Sequence, residues 1–118
     1  MTKRFCYLER QRLDAPLHKT LNHLWFAIDP DTRQRMGVGY RTRRQIEQAV
    51  ADCGDMIVLQ PGVTPEMYDS VMLFRSRYPH TWRSRIRRIW ATGGDEQYPL
   101  LRQLRNIIGP TGLEKWRF

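Results

Sequence analysis

The amino-acid sequence predicts an α+β fold: a small antiparallel sheet containing a hairpin near residues 24–41, packed with about four helices that lie mostly in the C-terminal half. Three observations carry this expectation. Two apolar runs, Leu24–Ile28 and Met36–Tyr40, flank a turn-forming segment, the pattern of a hairpin. From Thr42 onward, apolar residues recur at helical spacing between start and stop signals. Strands come first and helices later, which separates the pattern from an alternating α/β chain. With 118 residues, 41% hydrophobic and 27% charged, the chain suits a single compact domain over residues 1–118. Its sheet-rich part is expected over about 4–60, its helical part over about 64–108, and a tail over 109–118.

Residues 4–13 mix apolar and charged side chains without Gly or Pro and read as an edge strand. Asp14-Ala15-Pro16 combines an N-cap acid with a first-turn proline, and Leu17, Leu21 and Leu24 follow at helical spacing, so a short helix is expected there. The hairpin follows, with Asp29–Arg35 as its turn; Trp25, Phe26 and Ile28 are strand-forming types. Simple alternation groups Leu24, Phe26 and Ile28 with Met36, Val38 and Tyr40 on a core face. It groups Trp25, Ala27, Arg35, Gly37, Gly39 and Arg41 on the other, which serves either as a binding surface or as the seat of a packed helix.

Thr42 caps a helix that aligns Ile46, Ala49, Val50 and Cys53, and Gly54 stands past its end. Met56–Leu59, closed by Gln60-Pro61-Gly62, has the length of a buried strand and is expected to join the hairpin sheet. Thr64-Pro65-Glu66 opens a helix running to about Tyr78, with Met67, Val71, Phe74 and Tyr78 as its stripe. Thr81 is expected to cap a basic helix ending at Thr92-Gly93-Gly94. A last helix is expected from about Asp95, with Leu100, Leu101, Leu104, Ile107 and Ile108 inward, stopping at Gly109-Pro110.

Twenty Lys plus Arg against twelve Asp plus Glu give a net charge of +8. Codon bias can exchange Lys for Arg but does not create an excess of positive charge, so an anionic partner is expected. Charges interrupt every apolar stretch of the N-terminus, as in a cytoplasmic protein, and Cys6 and Cys53 fit neither a disulfide framework nor a zinc site. Gly37-Val38-Gly39 lacks the third glycine of a dinucleotide loop, no phosphate-binding loop occurs, and His18 and His23 miss the i, i+4 spacing of paired ligands. No enzymatic activity, cofactor, metal or small-molecule substrate is therefore expected.

The sharpest local feature is Thr81–Trp90, with four arginines and no acid. On a helix, Trp82, Ile86, Ile89 and Trp90 form an apolar stripe, Arg83 and Arg87 border one side, and Arg85 and Arg88 border the other. Guanidinium groups on both flanks suit bidentate contact with phosphates. The resulting expectation is a small basic protein that binds DNA or RNA through Arg83, Arg85, Arg87 and Arg88, supported by Arg75, Arg77, Arg41, Arg43 and Arg44. A plainer reading is a solvated helix whose arginines pair with surface acids; a third is a membrane-surface helix, less expected because ten residues would bind lipid weakly alone. The alternative function is a phage or mobile-element interaction protein, such as an anti-defence or anti-CRISPR-like inhibitor. It would occupy an acidic or nucleic-acid-binding surface of a host protein or nucleoprotein complex. Trp82, Trp90, Tyr98 and Trp116 would be its aromatic anchors, while Trp116 and Phe118 otherwise tuck into the core.

Two strands leading through Gly39-Tyr40-Arg41-Thr42-Arg43-Arg44-Gln45-Ile46-Glu47 into a helix resemble the arm-type DNA-binding domains of phage integrases, over about residues 24–53. That resemblance implies a sheet docked in the major groove.

Overall fold

Arg4–Arg12 forms strand β1, His23–Ile28 strand β2, Arg35–Tyr40 strand β3 and Met56–Val58 strand β4. Helices α1 to α4 span Arg43–Cys53, Pro65–Arg77, Trp82–Thr92 and Pro99–Ile108. These elements come from a computed structural model that describes residues 3–15 and 17–116. The fold is α+β as expected, and the chain divides into two compact units, Met1–Pro61 and Gly62–Phe118.

The first unit holds a four-stranded mixed sheet in the order β3-β2-β1-β4. β2 lies antiparallel between β1 and β3, while β4 runs parallel to β1. The 4–13 segment is thus a central strand and not an edge, because Met56–Val58 pairs with it from the other side. The helix expected after Asp14 is absent: Leu13 N–H donates to the Asn22 carbonyl at 2.8 Å and His18 bridges Leu21, so the segment closes the connection from β1 to β2. The Asp-Pro signal also suits a loop, and this one has sheet pairing at both its ends to satisfy its backbone. Pro16 lies outside the described residues.

The hairpin of β2 and β3 forms at the expected place in a different register. Asp29 Oδ1 accepts from the amides of Asp31 and Thr32 at 2.8 and 3.1 Å, and Arg33 N–H donates to the Asp29 carbonyl at 2.9 Å. Arg33 takes a left-handed φ of 62° to complete the turn. This closure sets Ile28 opposite Arg35, Ala27 opposite Met36 and, past a bulge, Trp25 opposite Tyr40. The face assignment from simple alternation is therefore corrected: Trp25 and Ala27 share a face with Met36 and Tyr40, since a one-residue change of register exchanges the faces of a strand. That face, with Cys6 and Leu8, packs on Ile46 and Val50 of α1. Gly39 belongs with Leu24 and Phe26, where a Cβ would come within 2.7 Å of Leu24 Cδ1 and 2.8 Å of Phe26 Cζ. The proposed Trp25–Gly37–Gly39 surface does not exist as one face.

Helix α1 starts in a capping box, in which Thr42 Oγ1 accepts from Gln45 N–H and Gln45 Oε1 accepts from Thr42 N–H, both at 3.2 Å. Gly54 ends it at a φ of 76°, a conformation that costs glycine little.

The second unit is helical. α2 begins with Thr64 Oγ1 accepting from Met67 N–H at 3.2 Å and Pro65 in the first turn, and it buries Met67 and Val71. α3 buries Trp82, Ile86 and Trp90 at successive four-residue steps. α4 begins at Pro99, later than expected, because Gly94–Gln97 forms a separate 3-10 turn. Pro99 presets the first helical φ and has no N–H to satisfy. Leu101 and Leu104 are fully buried, and Trp90 Nε1 donates to the Leu101 carbonyl at 3.0 Å, joining α3 to α4. After Gly109, the 3-10 turn Gly112–Lys115 brings Leu113 and Trp116 into the core, where Trp116 meets the Tyr68 ring at 5.9 Å. Of the two alternatives for Trp116, the structure takes the buried one; Phe118 lies outside the described residues.

Candidate nucleic-acid interface

The net positive charge is unevenly distributed. Residues 62–118 carry ten Lys plus Arg against five Asp plus Glu. Between Ser70 and Gly94 they hold Arg75, Arg77, Arg83, Arg85, Arg87 and Arg88 with no acid at all. α3 supplies four of these because its Trp82–Ile86–Trp90 stripe fixes which faces meet solvent.

The two flanks of α3 differ. Arg83 is turned inward along the C-terminal segment: its Nε donates to the Leu113 carbonyl at 3.3 Å and its Nη2 to the Trp116 carbonyl, while its guanidinium lies 4.3 Å from the Trp82 ring centroid. Arg87, one turn on, pairs with Glu114. This flank holds the segment 113–116, through Arg83 to its carbonyls and through Arg87 to Glu114. On the other flank, Arg85 donates from Nε to Thr81 Oγ1 at 3.1 Å and lies over the Tyr78 ring at 3.7 Å from its centroid. Thr81 therefore holds an arginine and does not cap α3, although the helix starts where expected. Arg88 is exposed and makes no ion pair or hydrogen bond through its guanidinium among the described residues.

At the end of α2, Arg77 is exposed while Arg75 is half-buried. Arg77 lines a cavity of about 290 Å3 together with Leu73, Phe74, Tyr78, Gln97 and Tyr98. Phe74 meets Tyr98 edge-on at 5.5 Å and Tyr78 at 6.2 Å. Sequence reasoning named Tyr98 and Arg77 separately and missed the cavity. The available signal was the α2 stripe reaching Phe74 and Tyr78, followed by an aromatic immediately before the Pro99 helix start. Of the four aromatic anchors named from sequence, Trp82, Trp90 and Trp116 are buried, and Tyr98 is 41% exposed.

Arg41, Arg43 and Arg44 belong to the first unit, around the start of α1. Arg43 pairs with Glu47 at 2.8 Å and lies 5.8 Å from the Trp25 ring centroid; Arg41 and Arg44 are exposed. Burial pushes the Cys6 thiol up to about 11, with Cys53 adding to the effect, so Cys6 is a packed apolar side chain and not a poised nucleophile. Among the described residues no three His, Cys, Asp or Glu side chains gather as a metal site, and no helix is long and apolar enough to cross a membrane.

Comparison with protein-family models, with curated proteins and with solved structures finds no match. The likeness of residues 24–53 to integrase arm-binding domains rests on those residues alone.

Proposed function

We propose that this chain is a non-enzymatic nucleic-acid-binding protein whose second unit contacts phosphates through Arg85, Arg88 and Arg77. The observation that carries the reading is the acid-free stretch from Ser70 to Gly94, in which Arg85 and Arg88 lie on a flank of α3 with no acidic partner among the described residues and Arg85 is held over an aromatic ring. A guanidinium with its plane fixed by stacking keeps its donors ready for phosphate oxygens at little further entropic cost. In this reading Arg83, bound to the Leu113 and Trp116 carbonyls, serves the fold, Arg87 is taken by Glu114, and binding falls to the opposite flank.

The test compares one charge variant of the full chain with the unaltered protein by fluorescence anisotropy with labelled single- and double-stranded DNA and RNA. Replacing Arg77, Arg85 and Arg88 by Glu is expected to weaken every sequence by about tenfold or more, since phosphate contacts carry no sequence information. Unchanged affinity in that folded variant overturns the assignment.

A second reading, an inhibitor docked on a host protein, is favoured by one observation: Leu73 is 72% exposed beside the exposed Tyr98, and a clustered apolar residue and aromatic make a small docking point. It predicts tight binding to one protein and little affinity for free nucleic acid.

A further inference from the structure

The cavity between Leu73 and Tyr98 is the least explained feature of the second unit. Three aromatic rings wall it, Leu73 and Tyr98 hold apolar surface in water, and Arg77 and Gln97 add polar groups. Among the described residues none that lines it is acidic. At about 290 Å3 it lies at the small end of ligand-sized pockets, which begin near about 300 Å3. That volume suits one flat ring with its substituents and excludes a helix or an intact duplex.

Resting on the nucleic-acid reading above, we propose that this cavity takes one unstacked base of a single-stranded nucleic acid. Arg77 and Arg85 then hold the phosphates on either side. Charge complementarity selects this occupant over an aromatic side chain of a protein. Arg77 is part of the wall, and the Arg85 guanidinium lies on Tyr78, a ring of the same wall. A base arrives with anions attached on both sides, whereas a peptide aromatic brings them only where acidic residues flank it. Aromatic walls accept any base, because every base has a π-face, and Gln97 offers a donor and an acceptor to a base edge. The inference refines the ligand from nucleic acid in general to strands with accessible bases.

The experiment measures anisotropy of the full chain with a labelled single strand of mixed sequence, the same strand carrying abasic sites, and its duplex. The abasic strand and the duplex are expected to bind about tenfold more weakly than the intact strand, the loss of roughly one stacked base. The salt dependence of the abasic strand stays that of the intact strand, since the phosphates are the same. Tyr98→Ala reproduces the loss and Tyr98→Phe restores it. The comparison of intact with abasic strand needs no variant and stands even where a substitution unfolds the protein. Equal, salt-sensitive binding of intact and abasic strands overturns the cavity proposal and leaves the nucleic-acid reading in place. Absence of binding to every strand overturns both, and is the result expected of a cavity built for a protein side chain.

Discussion

At the scale of single residues, Arg83 and Arg88 show how far identical side chains on one helix diverge. Arg83 satisfies two backbone carbonyls near the chain end, those of Leu113 and Trp116, and is half-buried in doing so. Removing it takes a charged donor from each, although the Leu113 carbonyl keeps the Trp116 N–H at 3.1 Å, and hydrogen bonds to a charged group contribute about 1.5–3 kcal/mol. Arg83→Ala is therefore expected to lower stability by about 2 kcal/mol in denaturant melts, while Arg88→Ala, which removes no such bond, changes it within about 0.5 kcal/mol. Equal effects of the two substitutions contradict the division of labour on α3. The cysteines divide similarly: Cys53 is exposed, whereas Cys6 is buried in the sheet core with its thiol pushed up to about 11. Alkylation of the native protein is expected to modify Cys53 and to reach Cys6 only on unfolding, as read by mass spectrometry.

Arg4 binds Asp55 through two hydrogen bonds of 2.9 and 3.2 Å and holds its carboxyl below the usual carboxylate range. A depressed folded pKa contributes stability that is present above the unfolded value, about 3.9, and is lost as pH falls through the folded one. Asp55→Asn is expected to remove this part of the acid sensitivity, flattening the fall in melting temperature below about pH 4. The pair is solvent-exposed, so added salt should shrink the difference. An unchanged acid limb in the variant contradicts the assignment.

Among the elements, α1 makes the clearest prediction. Its capping box depends on the Thr42 hydroxyl, and Thr42→Ala is expected to cost about 1 kcal/mol, with Thr42→Ser nearly neutral, by chemical denaturation. This helix was legible in the sequence because its cap, apolar spacing and terminal glycine all point the same way, and so was α2, from its Thr64 cap, its Pro65 start and the Pro79 that follows it. The Asp14–Leu24 segment failed because a cap and a proline also suit a loop, and only the pairing of Leu13 with Asn22 across the sheet decides between them. The position of β1 was equally hidden: nothing local to residues 4–13 says that Met56–Val58 returns beside it. The hairpin was legible in place but not in register, since that register follows from the left-handed Arg33 and the bulge before Tyr40. For the candidate site, the charge on α3 could be read directly. Which arginines face outward could not, because the answer lies with carbonyls some thirty residues further along the chain.

At the scale of the whole molecule, the excess of positive charge is the property that reaches furthest from any single contact. It resides more in residues 62–118 than in 1–61, and within the former it concentrates in a stretch without acids. A protein that uses Arg77, Arg85 and Arg88 on phosphates releases the counterions those phosphates held, so its affinity must fall as salt rises. The most direct measurement of this is the binding constant for a short single strand from low to physiological salt. With about three phosphates neutralised, the logarithm of the constant is expected to fall against that of the salt concentration with a slope near −2, leaving micromolar or tighter binding at about 0.15 M. A slope near zero, or no binding at physiological salt, contradicts the account and turns attention to a protein partner.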